Sequence, residues 1–248
     1  MPLPKIDFPI HEVTLPSNNI KIKYRPFLVK EKKLLLMAAE TKDNDAIEQS
    51  VKQIINNCIL TEKIDIEDLP SFDIDYIFLQ MISKSIGEIV TARFLGDKES
   101  ACDECQKDKV VRINLSEIAV NKDPDHSCKI ELTDTIGIVF NYPKMKTFKN
   151  VSKIFSDEDK DIESLFHIIS NLVETVYDKD AVLKVGIDFT LTELTEFFES
   201  LPIASFDKIE NFFATMPTIK YIKDLTCSKC NTIYRIHLEG LEDFFALG

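Results

Sequence analysis

Glycine is scarce in this chain, with six in 248 residues, and tryptophan is absent. So few glycines leave no phosphate-cradling loop of the nucleotide-binding kind. There is no H-E-x-x-H, no G-x-S-x-G, and no pair of carboxylates that rises above the general acidic background. The run SDEDKDIE lacks the glycine-turned spacing of a calcium loop and reads as a solvated helix start. Positive charge is also in deficit: 30 basic against 42 acidic residues give a net charge of -12. Such a surface repels a phosphate backbone at long range and points to proteins as partners. No apolar run approaches the ~20 residues that cross a bilayer, and MPLPKIDFPI lacks the basic start and apolar core of a signal peptide. A cytoplasmic setting is expected, where the six cysteines are reduced thiols.

What is present is a helix-rich α+β pattern. EVTLPSNNIKIKY alternates apolar residues on both sides of Ser17-Asn18-Asn19 and predicts a hairpin. VKEKKLLLMAAE, AIEQSVKQIINNCI and FDIDYIFLQMISKSIG predict helices, with Ser71 or Asp73 as the cap of the third. Val51, Ile54, Ile55 and Cys58 form one stripe, so Cys58 is read as a core residue. KIELTDTIGIVFNYP predicts a second hairpin, and ESLFHIISNLVETVY a helix whose stripe runs from Ile162 through Val173 and Val176. Two short amphipathic helices follow, carrying Phe197-Phe198 and Phe212-Phe213 and closed by Pro202 and Pro217.

The chemistry-bearing motif is a repeat. CDECQKDKVVRINLSEI (102–118) and CSKCNTIYRIHLEGLEDF (227–244) share C-x-x-C, a turn and Arg-Ile-x-Leu, and each follows a candidate strand. Strand, thiolate knuckle, strand is half of a zinc ribbon, and two knuckles supply the four thiolates of a closed structural site. Cys102, Cys105, Cys227 and Cys230 are therefore the expected ligands of one structural zinc per chain. The spacing is unusual: 121 residues, 106–226, separate the pairs, against ~15–20 in an ordinary ribbon. Loop entropy grows slowly with length, so the gap does not exclude the site. Four reduced cysteines, or two knuckles serving separate metals in a dimer, stay open as alternatives. A redox reading is weaker, because neither pair opens a helix after a strand. His126 and Cys128 are a weak second metal candidate, read instead as a solvated loop histidine and an incidental cysteine. His237, alternating with Ile236 and Leu238, is expected to face away from them.

The expected organisation is a hairpin plus helices over 1–98, a split zinc-ribbon-like module from 99–120 and 219–248, and an inserted hairpin and helical region over 121–218. Two segments are candidate partner surfaces. The extended arm with Leu3, Ile6, Phe8 and Ile10 suits strand addition or groove docking, or packs on its own domain. Leu241, Phe244 and Phe245 share one face of a final short helix, expected to cap the ribbon more readily than to protrude.

Three ordered segments, LPSNNIKIKYRPFLVKEKKLLLMAAE, LPSFDIDYIFLQMISKSIGE and TCSKCNTIYRIHLEGLEDFF, resemble the baseplate hub and hub-assembly family of T-even-type contractile-tailed bacteriophages. The resemblance covers nearly the whole chain. It implies a non-enzymatic protein made in the host cytoplasm, either a hub component of the virion tail baseplate or an assembly chaperone. Other hub or tail proteins would be its partners, with neither nucleic acid nor membrane. It brings no catalytic residue, and zinc rests on the repeat alone. The competing class is a zinc-ribbon protein that binds nucleic acid or host transcription machinery. It calls for a basic, aromatic-studded face that neither knuckle supplies.

Overall fold

The structure is a computed structural model that describes residues 7–41, 44–94, 109–144 and 162–240. The chain divides into two compact units, one of residues 1–66, 72–121 and 218–248, the other of 67–71 and 122–217. The architecture is α+β, with six helices among the described residues and small antiparallel sheets.

In the first unit, β1 (His11–Thr14) pairs with β2 (Lys21–Tyr24), and Val13, Leu15, Ile22 and Tyr24 are buried by the period of two. Asn19 takes the left-handed φ of 60° that the turn needs, and Asn18 Oδ1 accepts from the Ile20 amide at 2.9 Å. Helices α1 (Val29–Thr41), α2 (Asn44–Cys58) and α3 (Ser71–Ser85) follow. The predicted stripe of α2 is buried throughout, Cys58 included, and burial pushes the Cys58 thiol up to about 11 against the opposing pull of Arg25. Arg25 ties three elements together. Its amide donates to the Cys58 carbonyl at 3.0 Å, and its guanidinium reaches the Asn57 carbonyl and the wholly buried Glu31 carboxylate, both at 2.9 Å. Asp73, in the first turn of α3, reaches back to the first hairpin, accepting from the Ser17 amide at 3.1 Å and from the Ser17 hydroxyl.

Strands β3 (Ile89–Phe94), β4 (Lys109–Asn114), β5 (Val120–Asn121), β10 (Thr218–Thr226) and β11 (Ile233–Glu239) complete this unit. β3 pairs with β4, and β10 lies between β11 and β5 in an antiparallel sheet.

The second unit holds the sheet β6-β7-β8-β9, formed by Lys129–Glu131, Gly137–Phe140, Val173–Tyr177 and Val182–Lys184, all antiparallel. Helices α4 (Ile162–Leu172), α5 (Leu191–Glu199) and α6 (Ile203–Ala214) supply the rest of its core. The phenylalanine pairs meet there: Phe212 stacks on Phe140 at 4.9 Å and sits edge-on to Phe213 at 5.0 Å. Thr190 caps α5 in a reciprocal box with Glu193, and Pro202 both follows α5 and stands at the cap of α6.

One predicted element is corrected. The helical stripe does not continue to Val176: α4 stops at Leu172, and Val173–Tyr177 pairs with β7 as β8. VETVY is dense in β-branched residues, stiff at χ1 and suited to a pleated surface, and Val173 and Thr175 are buried on alternate positions.

Candidate functional site

The two copies of the repeat form two hairpins in one unit. In the first, Ile89 pairs with Asn114 and Phe94 with Lys109. In the second, Lys220 pairs with Glu239 and Thr226 with Ile233. Alternation along each second strand sends Arg outward and Ile inward, so Arg112 and Arg235 are exposed while Ile113 and Ile236 are buried. Ile113, Leu115, Ile236 and Leu238, the equivalent apolar residues of the two Arg-Ile-x-Leu runs, share one cluster with Leu79, Ile118 and Ile219. The repeat is thus a packing device: each copy contributes the same two positions to a common core.

The turn between β10 and β11 carries Cys227 and Cys230. The Cys227 amide donates to the Thr232 carbonyl at 2.8 Å, and the Asn231 amide to the Cys227 carbonyl at 2.9 Å. Asn231 completes the turn at φ 63°, in the left-handed region that asparagine tolerates. Cys227 is buried, while Cys230 is exposed and its thiol donates to Thr232 Oγ1 at 3.2 Å. Cys102 and Cys105 lie outside the described residues. Among the described residues alone, no group of three or more His, Cys, Asp or Glu side chains gathers to hold a metal.

The outer face of β10–β11 is self-neutralising. The Arg235 guanidinium grips Asp224 through two bonds of 2.7 and 2.9 Å, which holds the arginine above and the aspartate below their ordinary pKa ranges. Lys220 pairs with Glu239 at 3.0 Å, and His237 lies 3.5 Å from the same carboxylate. As expected from its alternation, His237 faces away from Ile236 and Leu238 and is exposed. This ladder offers no continuous basic track to a phosphate backbone.

Of the candidate partner residues, Phe8 and Ile10 are exposed ahead of β1. Leu3, Ile6, Leu241, Phe244 and Phe245 lie outside the described residues. The reading of His126 as a solvated loop residue is corrected: it is half-buried, stacked on Phe212 at 5.1 Å and on Tyr142 at 5.6 Å, because the acidic loop folds back onto aromatic residues. Burial lowers its pKa, with Asp123 opposing. An open cleft of about 480 Å³ near it is lined by Asp125, Lys129, Glu131, Asp207 and Lys208 above Phe212. Lys208 is spent on the Glu131 and Leu132 carbonyls, and Lys129 lies over the Tyr177 ring at 4.7 Å. The exposed apolar side chains of α1, Val29, Leu36 and Met37, were missed because LLLM reads as core from any direction.

Residues 8–246 match the profile of the T4 bacteriophage base plate protein family. The chain belongs to that family. No curated protein and no solved structure matches it. All three segments that carried the phage resemblance fall inside the match, so a T4-type phage baseplate protein is what the chain is. Among the described residues of this baseplate protein, no helix is long and apolar enough to cross a membrane.

Proposed function

We propose that this baseplate protein is a non-enzymatic hub subunit or hub-assembly factor that acts through contacts with other hub or tail proteins, first in the host cytoplasm. The observation that carries the reading is the match to the baseplate family over residues 8–246, nearly the whole length. Its acidic balance and the paired charges on β10–β11 favour protein partners over nucleic acid. A structural zinc bound by Cys102, Cys105, Cys227 and Cys230 belongs to the same proposal. Its support is the repeated C-x-x-C motif, together with the shared core of the strands that follow each knuckle. Such an ion would tie the 72–121 and 218–248 segments of the first unit together and give the protein a rigid platform.

Affinity capture from infected cells, with identification of the partners and a search of mature virions, tests the role. Capture of hub or tape-measure proteins, insensitive to salt, is the expected result. Presence in virions marks a subunit, and absence marks an assembly factor. Capture of nucleic acid with a steep salt dependence would overturn the reading.

A further inference from the structure

Helix α1 has a second apolar face. Glu31 and Ala38 are buried on its inner side. At 100° per residue, Val29, Lys33, Leu36, Met37 and Glu40 fall together on the opposite side. Val29, Leu36 and Met37 are 87, 57 and 55 % exposed, and Lys33 and Glu40 are exposed between and beyond them. Neither Lys33 nor Glu40 has a salt-bridge partner among the described residues.

This face is complementary to itself. The helix is basic at its start, with Lys30, Lys32 and Lys33, apolar at Leu36 and Met37, and acidic at Glu40. Two such helices laid antiparallel about a two-fold axis between residues 36 and 37 put Leu36 of one copy on Met37 of the other. The same axis puts Lys33 of each copy opposite Glu40 of the other, giving two symmetric ion pairs around a dry centre. The antiparallel arrangement also sets each helix N-terminus beside the other's C-terminus, which the macrodipoles favour.

We propose that a second copy of this chain docks on α1, forming an isologous antiparallel contact centred on Leu36 and Met37. One 13-residue helix is about 20 Å long and buries less surface than the ~1,200 Å² of a standard stable interface. The net charge of -12 on each copy adds repulsion. The association is therefore weak, in the micromolar range or above.

Sedimentation equilibrium of the full-length protein, from micromolar to near-millimolar concentration, tests it. A reversible monomer–dimer equilibrium is expected. Lys33→Glu and Glu40→Lys each place like charges across the axis and should weaken it about tenfold or more. The double variant Lys33→Glu/Glu40→Lys restores the pair in swapped order and should return affinity to near that of the parent. The two positions are seven residues apart and do not touch within one helix, so only an intermolecular contact couples them. Far-UV circular dichroism verifies that each variant is folded. A monomer at every concentration, a dimer indifferent to the single reversals, or a double variant without rescue would overturn the proposal.

Discussion

Ile113 of β4 and Ile236 of β11, more than a hundred residues apart in sequence, occupy equivalent places in a repeat and lie in the same buried cluster. Truncating either to alanine should cost about 2–5 kcal/mol, the range for opening a cavity in a packed core. Because they lie in one packed cluster, the double variant should depart from additivity. Urea unfolding of the two single variants and the double checks this, with exposed Lys223→Ala as a control expected to stay within about 0.5 kcal/mol.

If the four thiolates hold zinc, protein purified without chelator should contain about one zinc per chain by elemental analysis. Cys227→Ser should release it and lower stability by several kcal/mol. Metal-free protein as isolated, with wild-type stability unmoved by chelator, would remove zinc from the proposal.

The Arg25 guanidinium is the closest positive charge to the wholly buried Glu31 carboxylate. Arg25→Ala removes the shorter of the two ion pairs to that carboxylate, leaving it Lys30 at 3.5 Å and the Leu28 amide at 2.9 Å, and should destabilise the first unit by about 1–3 kcal/mol. Arg25→Ala/Glu31→Leu, which removes both charges, should recover much of the loss, and thermal unfolding of both variants distinguishes the two.

Thr215 Oγ1 donates to the Asn211 carbonyl at 2.7 Å, so it accepts from His126 Nδ1, 2.9 Å away. The second ring nitrogen, Nε2, is buried and has no hydrogen-bond partner among the described residues. A proton there has nowhere to go, in keeping with the lowered pKa. The unfolded chain therefore binds this proton more readily than the folded one. Stability should be complete above pH 6.5, the ordinary histidine value, and decline as pH falls from there toward the folded pKa. His126→Phe should flatten the slope in that window, as read from melting temperature against pH.

Gly137 faces the Tyr177 ring across the β7–β8 ladder, and a Cβ at this position would overlap the ring. Gly137→Ala should cost about 1–3 kcal/mol through displacement of that ring. Equilibrium denaturation gives the number, and the loss of the Lys129 contact over the same ring should accompany it.

Much of this fold was legible because its elements obey single periodicities. Val13, Leu15, Ile22 and Tyr24 of the first hairpin and the whole stripe of α2 are buried as the pattern predicts, whereas α3 is buried on two opposite faces, with Leu79 on the one its stripe leaves out. β8 was misread because Val173 and Val176 satisfy a helical stripe as well as a strand, and only pairing with β7 decides between them. α1 hid its outer face for the converse reason: Leu34, Leu35, Leu36 and Met37 are apolar in every direction, and nothing local says which of them the neighbours will cover. At the candidate site, the alternation of His237 with Ile236 and Leu238 told which way that histidine faces. It does not bear on whether the four sulfurs meet, since strand register fixes side-chain facing and leaves the reach of each knuckle undetermined.

β5 and β10 are neighbours in one ladder, with Asn121 opposite Thr218 and Val120 opposite Ile219, yet residues 122–217 lie between them in the chain. During synthesis, every contact of the second unit is therefore available before the first unit has received its last strands. The polypeptide that starts earliest finishes last, and its closure waits on β10 and β11 leaving the ribosome. A chain truncated after residue 217 would keep every residue of the second unit while β5 lacks the strand it pairs with. Exposed β5 and the uncovered Ile113 and Leu115 would make such a fragment a target for proteolysis.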